Sequence, residues 1–143
     1  MRLVIDASIA VKWLISELGT DRALALYDRA SGQMHAPDLL FVEVAGVVVR
    51  RANERLIDQD AARDTLDEWM TMSAAPAVTG HAISREMVRS AALLAIDLGH
   101  PIKDCVYLAL AREFGCLLVT ADAKFRDRAA GRCPAIKLLG EMT

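Results

Sequence analysis

Short apolar runs alternate with longer amphipathic segments along the whole chain. The runs are typical of buried strands and lie at residues 2–5, 34–36, 76–79, 116–120 and 135–139. The segments between them carry helix start and stop signals, such as capping Ser and Asp residues, terminal Gly, and Pro37 at the first position of a helix. They predict helices over residues 8–17, 20–31, 38–55, 58–72, 81–98, 102–114 and 123–130.

This alternation predicts the fold class. Strands joined through helices need crossover connections, which give a mainly parallel sheet that is covered on both faces. We therefore expect an α/β protein with three layers, α/β/α. The length of 143 residues fits one domain spanning residues 1–143.

Composition narrows the function classes. A hydrophobic fraction of 54% excludes a disordered chain. A net charge of -2 and an aromatic fraction of 5% exclude a uniformly basic nucleic-acid binder and a surface that holds bases mainly by stacking. Any contact with nucleic acid must therefore be local.

Neither a disulfide framework nor a membrane segment is expected, and the predicted location is the cytoplasm. The three cysteines form no C-x-x-C pair and are predicted to be small core residues in a reducing compartment; they are Cys105, Cys116 and Cys133. The longest apolar run, residues 39–49, is interrupted by Glu43 and is much shorter than the roughly 20 residues that a membrane helix needs. Asp6 and Lys12 interrupt the N-terminal run before it could form a signal sequence.

Four acidic residues stand next to core-like sequence, whereas most acids of the chain lie in solvated, mixed-charge segments. Asp6 follows the LVI of the first strand, and Asp122 lies two residues beyond CLLVT. Glu43 is the only charge between Asp38 and Arg50, and Asp104 directly precedes CVYLALA. Each carboxylate therefore borders a segment that is expected to be buried.

Buried carboxylates need a compensating charge, because two of them about 4 Å apart repel by roughly 4 kcal/mol at an effective dielectric constant of about 20. Ligands of open α/β sheets bind at the carboxyl ends of the strands, where Asp6 and Asp122 lie. If Glu43 and Asp104 converge there, the four form an oxygen-only cluster that suits Mg²⁺ or Mn²⁺. Such a cation would activate a water and stabilise charge on a phosphate, which predicts phosphate chemistry.

Each acid also has a purely structural interpretation. Asp6 could cap the first helix or begin a turn, and Asp122 could form an Asx turn. Asp104 could complement a helix dipole, and Glu43 could pair with a structural partner. The coincidence of all four favours the metal site.

The four acids and their flanking motifs resemble those of PIN-domain ribonucleases, specifically the VapC-type toxins of bacterial and archaeal toxin-antitoxin pairs. The first to fourth acids of that family are matched by Asp6 in VIDASIAVKWL, Glu43 in LLFVEVAGVV, Asp104 in KDCVYLALA and Asp122 in LLVTADAKF. The resemblance covers the whole chain. It implies a PIN-like fold with a parallel five-stranded sheet, an endoribonuclease site dependent on Mg²⁺ or Mn²⁺, a homodimer, and neutralisation by a small cognate antitoxin.

Two positions depart from the family's pattern. Gly46 stands three residues after Glu43, where relatives often carry Asn, and Lys103 precedes Asp104, where an aromatic or small residue is common. A helical Gly costs about 1 kcal/mol relative to Ala. Close packing is therefore the expected reason for Gly46, with the approach of a ligand as the alternative.

Ser8 and Thr120 are expected to support the acids. Ser8 can cap the first helix and also hydrogen-bond Asp6. Thr120 points the same way as Asp122 if the chain stays extended between them. Plain helix capping and a buried strand threonine are the structural alternatives.

RNA contact is expected from a short basic segment, with a merely solvated surface as the alternative. Between residues 124 and 137 one acid, Asp127, faces five cations, which are Lys124, Arg126, Arg128, Arg132 and Lys137. Lys124 and Arg128 fall on one helix face, whereas Arg126 points elsewhere. Lys12 could also reach a phosphate, although a solvated side chain is the simpler interpretation.

Trp13 and Trp69 are assigned to core or interface packing. The histidines lie at element boundaries without ligand spacing and are given no chemistry; they are His35, His81 and His100. A partner surface is predicted from the second helix, ALALYDRA, and from the apolar face of the fourth helix formed by Leu66, Trp69 and Met70.

Other function classes fit the motifs less well. A receiver-like signalling domain needs a phosphate-accepting Asp after its third strand, where PAVTG has none. A phosphatase of the haloacid-dehalogenase type needs a second Asp at the position of Ser8. A catalytically silent module that binds only RNA or an antitoxin stays open as the alternative.

Overall fold

The structure is a computed structural model that describes residues 2–131 and 136–142. A short 3-10 turn, Leu139–Glu141, follows the last strand. The other elements in chain order are β1 (Leu3–Ile5), α1 (Ala7–Leu14), α2 (Thr20–Ala30), β2 (Met34–Pro37), α3 (Leu39–Asn53), α4 (Gln59–Met72), β3 (Val78–His81), α5 (Arg85–Leu98), α6 (Ile102–Phe114), β4 (Leu117–Thr120), α7 (Ala123–Ala130) and β5 (Ile136–Leu138).

The five strands found in these residues form one parallel sheet in the order β3-β2-β1-β4-β5. β1 lies at the centre, and its residue Ile5 is in register with Val119 of β4. The chain runs outward from β1 to β3, and then builds the other half of the sheet with β4 and β5. The ends of β1 and β4 therefore form the switch point at which open sheets bind ligands.

Helices cover both faces of the sheet. Alternate residues of a strand point to opposite faces, yet Leu3, Val4 and Ile5 are all completely buried. Helix α6 packs on β1, β2 and β4, and α5 packs against α6. Helix α1 packs on β4 and α3 packs on β2, while α2 lies against α1 and α4 lies against α3. The predicted three-layer α/β/α fold with a parallel sheet is confirmed.

Helix α6 crosses the middle of the molecule and brings one predicted acid to the sheet. All residues from Cys105 to Ala111 are buried, as expected for a helix that is apolar nearly all round. Asp104 lies in the first turn, immediately before this buried run.

Several element boundaries differ from the prediction, among them the end of α1, which comes at Leu14 and not at residue 17. Pro37 ends β2, paired with His81 of β3, and does not open α3. A proline has no backbone N–H to donate, but none is needed here because the pairing with β1 ends before Pro37. β3 extends to His81, and α5 begins only at Arg85, after the cap Ser84. Asp6, not Ser8, caps α1, because its side chain accepts a hydrogen bond from the Ser8 backbone N–H.

The predicted apolar face of the fourth helix is smaller than expected. Trp69 is completely buried, and its indole N–H donates to the Phe41 carbonyl at 3.2 Å. Met70 remains 56% exposed, and Leu66 is half-buried. Trp69 therefore belongs to the core, not to a partner surface.

Several expectations concern residues near the C-terminus. The described strand β5 spans Ile136–Leu138, shorter than the predicted strand at 135–139. Arg132 of the basic segment, Cys133 and the first residue of that predicted strand lie outside the described residues. Of the other cysteines, Cys105 is buried and Cys116 is half-buried. None of the described helices is long and apolar enough to cross a membrane.

Candidate active site

Asp6 lies directly after β1 and is only 5% exposed. One carboxylate oxygen accepts hydrogen bonds from the Ser8 hydroxyl and from the Ser8 backbone N–H at 3.1 Å, and the other accepts from the Thr120 hydroxyl. Thr120 reaches Asp6 because Ile5 and Val119, the residues before them, are in register on neighbouring strands. Asp6 is therefore held at the switch point of the sheet by both of its oxygens.

Burial raises the pKa of Asp6 to about 6 from an ordinary value of 3.8, and the nearby charge of Asp104 adds to the rise. The hydrogen bonds from Ser8 and Thr120 oppose it. Desolvation has the largest effect on this pKa. It raises the pKa because burial disfavours the charged form of an acid. The ionised form of Asp6 is therefore disfavoured in the folded chain.

The hydroxyls of Ser8 and Thr120 link the two central strand ends. They lie 3.3 Å apart, and the Ser8 oxygen also accepts from the Ala121 N–H at 2.8 Å. The Thr120 oxygen accepts from the Asp122 N–H at 3.1 Å. Both side chains thus contact Asp6 and the segment that leads to Asp122, which is the position expected of supporting groups.

Helix α3 brings Glu43 to the site, where each carboxylate oxygen has a protein partner. Oε1 accepts from the Tyr107 hydroxyl at 2.5 Å, and Oε2 lies 3.3 Å from Nζ of Lys103. The unusual residue Lys103 therefore supplies a positive charge to the site. Its side chain is 60% exposed, so the ammonium also borders solvent.

Tyr107 lies among the acids, although the sequence analysis did not single it out from the apolar residues around it. Burial raises its pKa, and the hydrogen bond to Glu43 together with the charges of Glu43, Asp6 and Asp104 raises it further. Its hydroxyl thus remains a donor. Its spacing of three residues from Asp104, which puts both on one face of α6, is the signal that could have identified it.

Asp104, Asp122 and His100 form a compact group whose potential ligand atoms all lie within 4.8 Å of one another. Asp122 caps α7 by accepting from the Phe125 N–H at 3.1 Å. Nε2 of His100 lies 2.6 Å from Oδ2 of Asp104. This contact corrects the expectation that His100 stands apart from the site. Its spacing of four residues from Asp104 was the available signal.

The structure brings the four predicted acids to one end of the sheet. Asp104 connects them, since its charge acts on Asp6, it lies beside Asp122, and its charge acts together with that of Glu43 on Tyr107. Carboxylate oxygens suit a hard divalent cation, and its charge would offset the repulsion between neighbouring acids. The donor set therefore fits Mg²⁺ or Mn²⁺.

A family model described as PIN domain matches residues 3–131. The chain belongs to the PIN-domain family. Ribonuclease VapC3 of Pyrobaculum aerophilum is 30% identical over 128 residues, which cover 90% of this chain and 95% of the relative. The resemblance to VapC-type PIN domains that the motifs indicated is thereby confirmed.

Two solved structures share the fold of this PIN domain. VapC20 of Mycobacterium tuberculosis, described as a Sarcin-Ricin loop cleaving toxin, has a TM-score of 0.69 and 13% identity, with 92% of this chain and 95% of that chain covered. A toxin-antitoxin complex from Klebsiella pneumoniae has a TM-score of 0.68 and 15% identity, with 98% and 99% covered.

Several cationic side chains of this PIN domain make more contacts with other residues than predicted. Nζ of Lys12 lies 3.1 Å from Oε1 of Glu17 and 2.6 Å from the Leu18 carbonyl, and its side chain is 13% exposed, so it is not the solvated side chain expected. Arg126 pairs with Asp127 and Glu141.

The two cations predicted to share a face of α7 differ in their contacts. Arg128 contacts His100 and the Gly99 carbonyl. Lys124 is exposed. Arg128 therefore contacts the histidine of the site, and Lys124 remains the better candidate for a contact with RNA.

Gly46 is exposed on α3, and a Cβ atom added there would meet nothing within 4 Å. The expectation that close packing requires this glycine is therefore wrong. The approach of a ligand remains as the functional interpretation.

Proposed function

We propose that this PIN domain is an endoribonuclease dependent on Mg²⁺ or Mn²⁺ and the toxin of a toxin-antitoxin pair. The observation that carries the proposal is that carboxylate oxygens of Asp104 and Asp122 lie within 4.8 Å of each other, next to the buried carboxylate of Asp6. The ribonuclease name of the VapC3 relative supports the choice of RNA as substrate.

The roles of the acids follow from their positions. Asp6, Glu43, Asp104 and Asp122 would hold the cation. When bound, the cation would position and deprotonate a water and stabilise the charge on the phosphate and the leaving oxygen. Ser8 and Thr120 orient the carboxylate of Asp6, and Tyr107 orients that of Glu43.

Binding of RNA requires local positive charge, because the whole chain carries a net charge of -2 and the site is acidic. Lys103 stands at the rim beside Glu43, and Lys124 lies on the helix that begins at Asp122. We propose that these two lysines hold phosphates on either side of the site.

The proposed partners are an antitoxin and a second copy of the chain. An acidic site attracts a basic side chain, so an antitoxin segment would place an Arg against the carboxylates and compete with the cation. Exposed apolar residues such as Met70 favour pairing of two copies. Light scattering that finds only monomer at tens of micromolar would contradict the homodimer.

The direct test is cleavage of RNA by the purified chain with Mn²⁺ or Mg²⁺, with the new ends mapped by sequencing. We expect defined internal cuts that disappear with chelator and in the Asp104→Asn variant. If the wild-type chain cuts no better than this variant, the alternative of a catalytically silent module that binds RNA or antitoxin replaces the proposal.

A further inference from the structure

His100 is held on three sides in the connection between α5 and α6. Its side chain is 4% exposed, and its ring stacks on Phe125 with centroids 4.7 Å apart and planes 15° apart. One ring nitrogen contacts Asp104, and the other lies 3.1 Å from a guanidinium nitrogen of Arg128. The ring therefore has little freedom to turn.

The contact with Arg128 determines where the ring proton lies. An arginine side chain has donors and no acceptor, so Nδ1 of His100 must accept this hydrogen bond. The same guanidinium nitrogen donates to the Gly99 carbonyl at 2.9 Å, which keeps Arg128 in place. The neutral ring then carries its proton on Nε2 and donates it to Oδ2 of Asp104, 2.6 Å away.

A nitrogen that carries a proton cannot at the same time bind a metal ion. Ligation through Nε2 would require the proton on Nδ1, where it would face the N–H of Arg128. His100 therefore lies near Asp104 and Asp122 for a reason other than binding the metal ion.

We propose that His100 is a positioning residue that Arg128 holds in the Nε2–H tautomer, so that its hydrogen bond orients Asp104 toward the cation of the proposed function. Helix α7 carries both side chains that hold the ring, Phe125 and Arg128. It begins at Asp122, stacks Phe125 on the ring and directs Arg128 to Nδ1. One short helix thereby couples the two acids, Asp104 and Asp122.

The tautomer can be observed without any measurement of activity. Long-range ¹H–¹⁵N spectra of the histidine rings, recorded with chelator and with Mg²⁺, should show His100 in the Nε2–H form in both states. The Arg128→Met variant should show a mixture of the two tautomers. If His100 carries its proton on Nδ1 when Mg²⁺ is bound, it is a ligand and the proposal is overturned.

Affinity for Mn²⁺, measured by calorimetry on the full chain, tests the role of the hydrogen bond. His100→Phe keeps the stack on Phe125 and removes the donor, and we expect its affinity to fall by about 10- to 100-fold, the range known for partners of metal ligands. His100→Gln restores an N–H donor and should recover part of the loss. Equal affinities in all three proteins would overturn the proposal.

A double-mutant cycle separates this role of Arg128 from direct RNA binding. Arg128→Met should weaken Mn²⁺ binding in the wild-type background and have little further effect when combined with His100→Phe. Arg126→Met on the same helix is the matched control for loss of one cation and should leave Mn²⁺ affinity unchanged. If Arg128→Met instead lowers RNA affinity equally in both backgrounds with unchanged Mn²⁺ affinity, Arg128 is an RNA contact.

The two proposals can fail separately. If the wild-type chain cuts no RNA but the tautomer and the Mn²⁺ affinities behave as expected, the assigned substrate is wrong and the role of His100 stands. If the chain cuts RNA and His100→Phe binds Mn²⁺ like wild type, the ribonuclease stands and the role of His100 is overturned.

Discussion

Nζ of Lys103 lies 3.3 Å from Oε2 of Glu43, one of the four predicted acids. The lysine places a positive charge beside carboxylates that would hold a divalent cation. A bound cation and Lys103 therefore compete for the same negative charge.

Lys103→Met should strengthen the binding of Mn²⁺. Because the pair is partly exposed, we expect a gain of about two- to fivefold, in line with the small free energies of exposed ion pairs. Lys103→Arg keeps the charge and is the matched control. Calorimetric titration measures the affinities, and weaker Mn²⁺ binding by the Met variant would show that Lys103 supports the metal site.

Asp6→Asn should stabilise the metal-free protein at neutral pH. The pKa of Asp6 is about 6 in the folded chain and 3.8 as an ordinary value, so the folded state binds more protons between these pH values and loses stability as the pH rises through them. The loss is on the order of 3 kcal/mol above that window. Asn keeps the helix cap and does not titrate, so the variant should exceed wild type by up to this amount above about pH 7.

Urea unfolding in chelator at several pH values measures this difference. The gap between Asp6→Asn and wild type should close below about pH 4, where the wild-type carboxyl is protonated in both states. Asp60→Asn, at a carboxylate that is 95% exposed, is the control and should follow wild type. A gap that does not change with pH would argue against ionisation as its cause.

Asp104→Asn should abolish the thermal stabilisation by metal. Wild-type protein in Mn²⁺ at about 100 times its dissociation constant should gain roughly 2.7 kcal/mol, seen as a rise in Tm. The variant should show little rise and should lose at least about tenfold in RNA cleavage, since even a partner of a ligand has an effect of this size. Asp67→Asn, on the exposed face of α4, should behave as wild type, and full activity of Asp104→Asn would refute its role as ligand.

Gly46→Ala should separate stability from function. The new Cβ meets open space, and Ala in a helix is more stable than Gly by about 1 kcal/mol, so the midpoint of urea unfolding should rise. If RNA approaches α3 at this point, cleavage should fall while stability increases. Unchanged cleavage would remove the approach of a ligand as the reason for the glycine.

Lys124→Ala should weaken RNA binding and reduce its dependence on salt. Loss of one phosphate contact to a single strand lowers the slope of log affinity against log salt by roughly 0.7. Mn²⁺ affinity should not change. Arg126→Ala is the matched control, because Arg126 already pairs with Asp127 and Glu141. If Lys124→Ala and the control bind RNA equally well at every salt concentration, the rim lies elsewhere.

The amino-acid sequence by itself determined the order of the elements, the parallel three-layer fold and the four acids. These features are local: apolar runs and helix signals are read over a few neighbouring residues, and a carboxylate beside a buried run is conspicuous wherever the chain folds. The support of Asp6 by Ser8 and Thr120 could also be predicted from the sequence, because these residues lie at or just after the ends of two parallel strands.

Only the tertiary structure decided the partners of the acids. The contact of Glu43 with Tyr107 joins residues 64 positions apart, and that of His100 with Arg128 joins residues 28 positions apart. Both depend on how helices pack on one another and on the sheet, which a periodicity of 2.0 or 3.6 residues does not encode. The burial of Trp69 and the open space at Gly46 were also decided by the tertiary structure. A sequence pattern predicts which face of a helix is apolar, but the packing of neighbouring elements determines what covers that face.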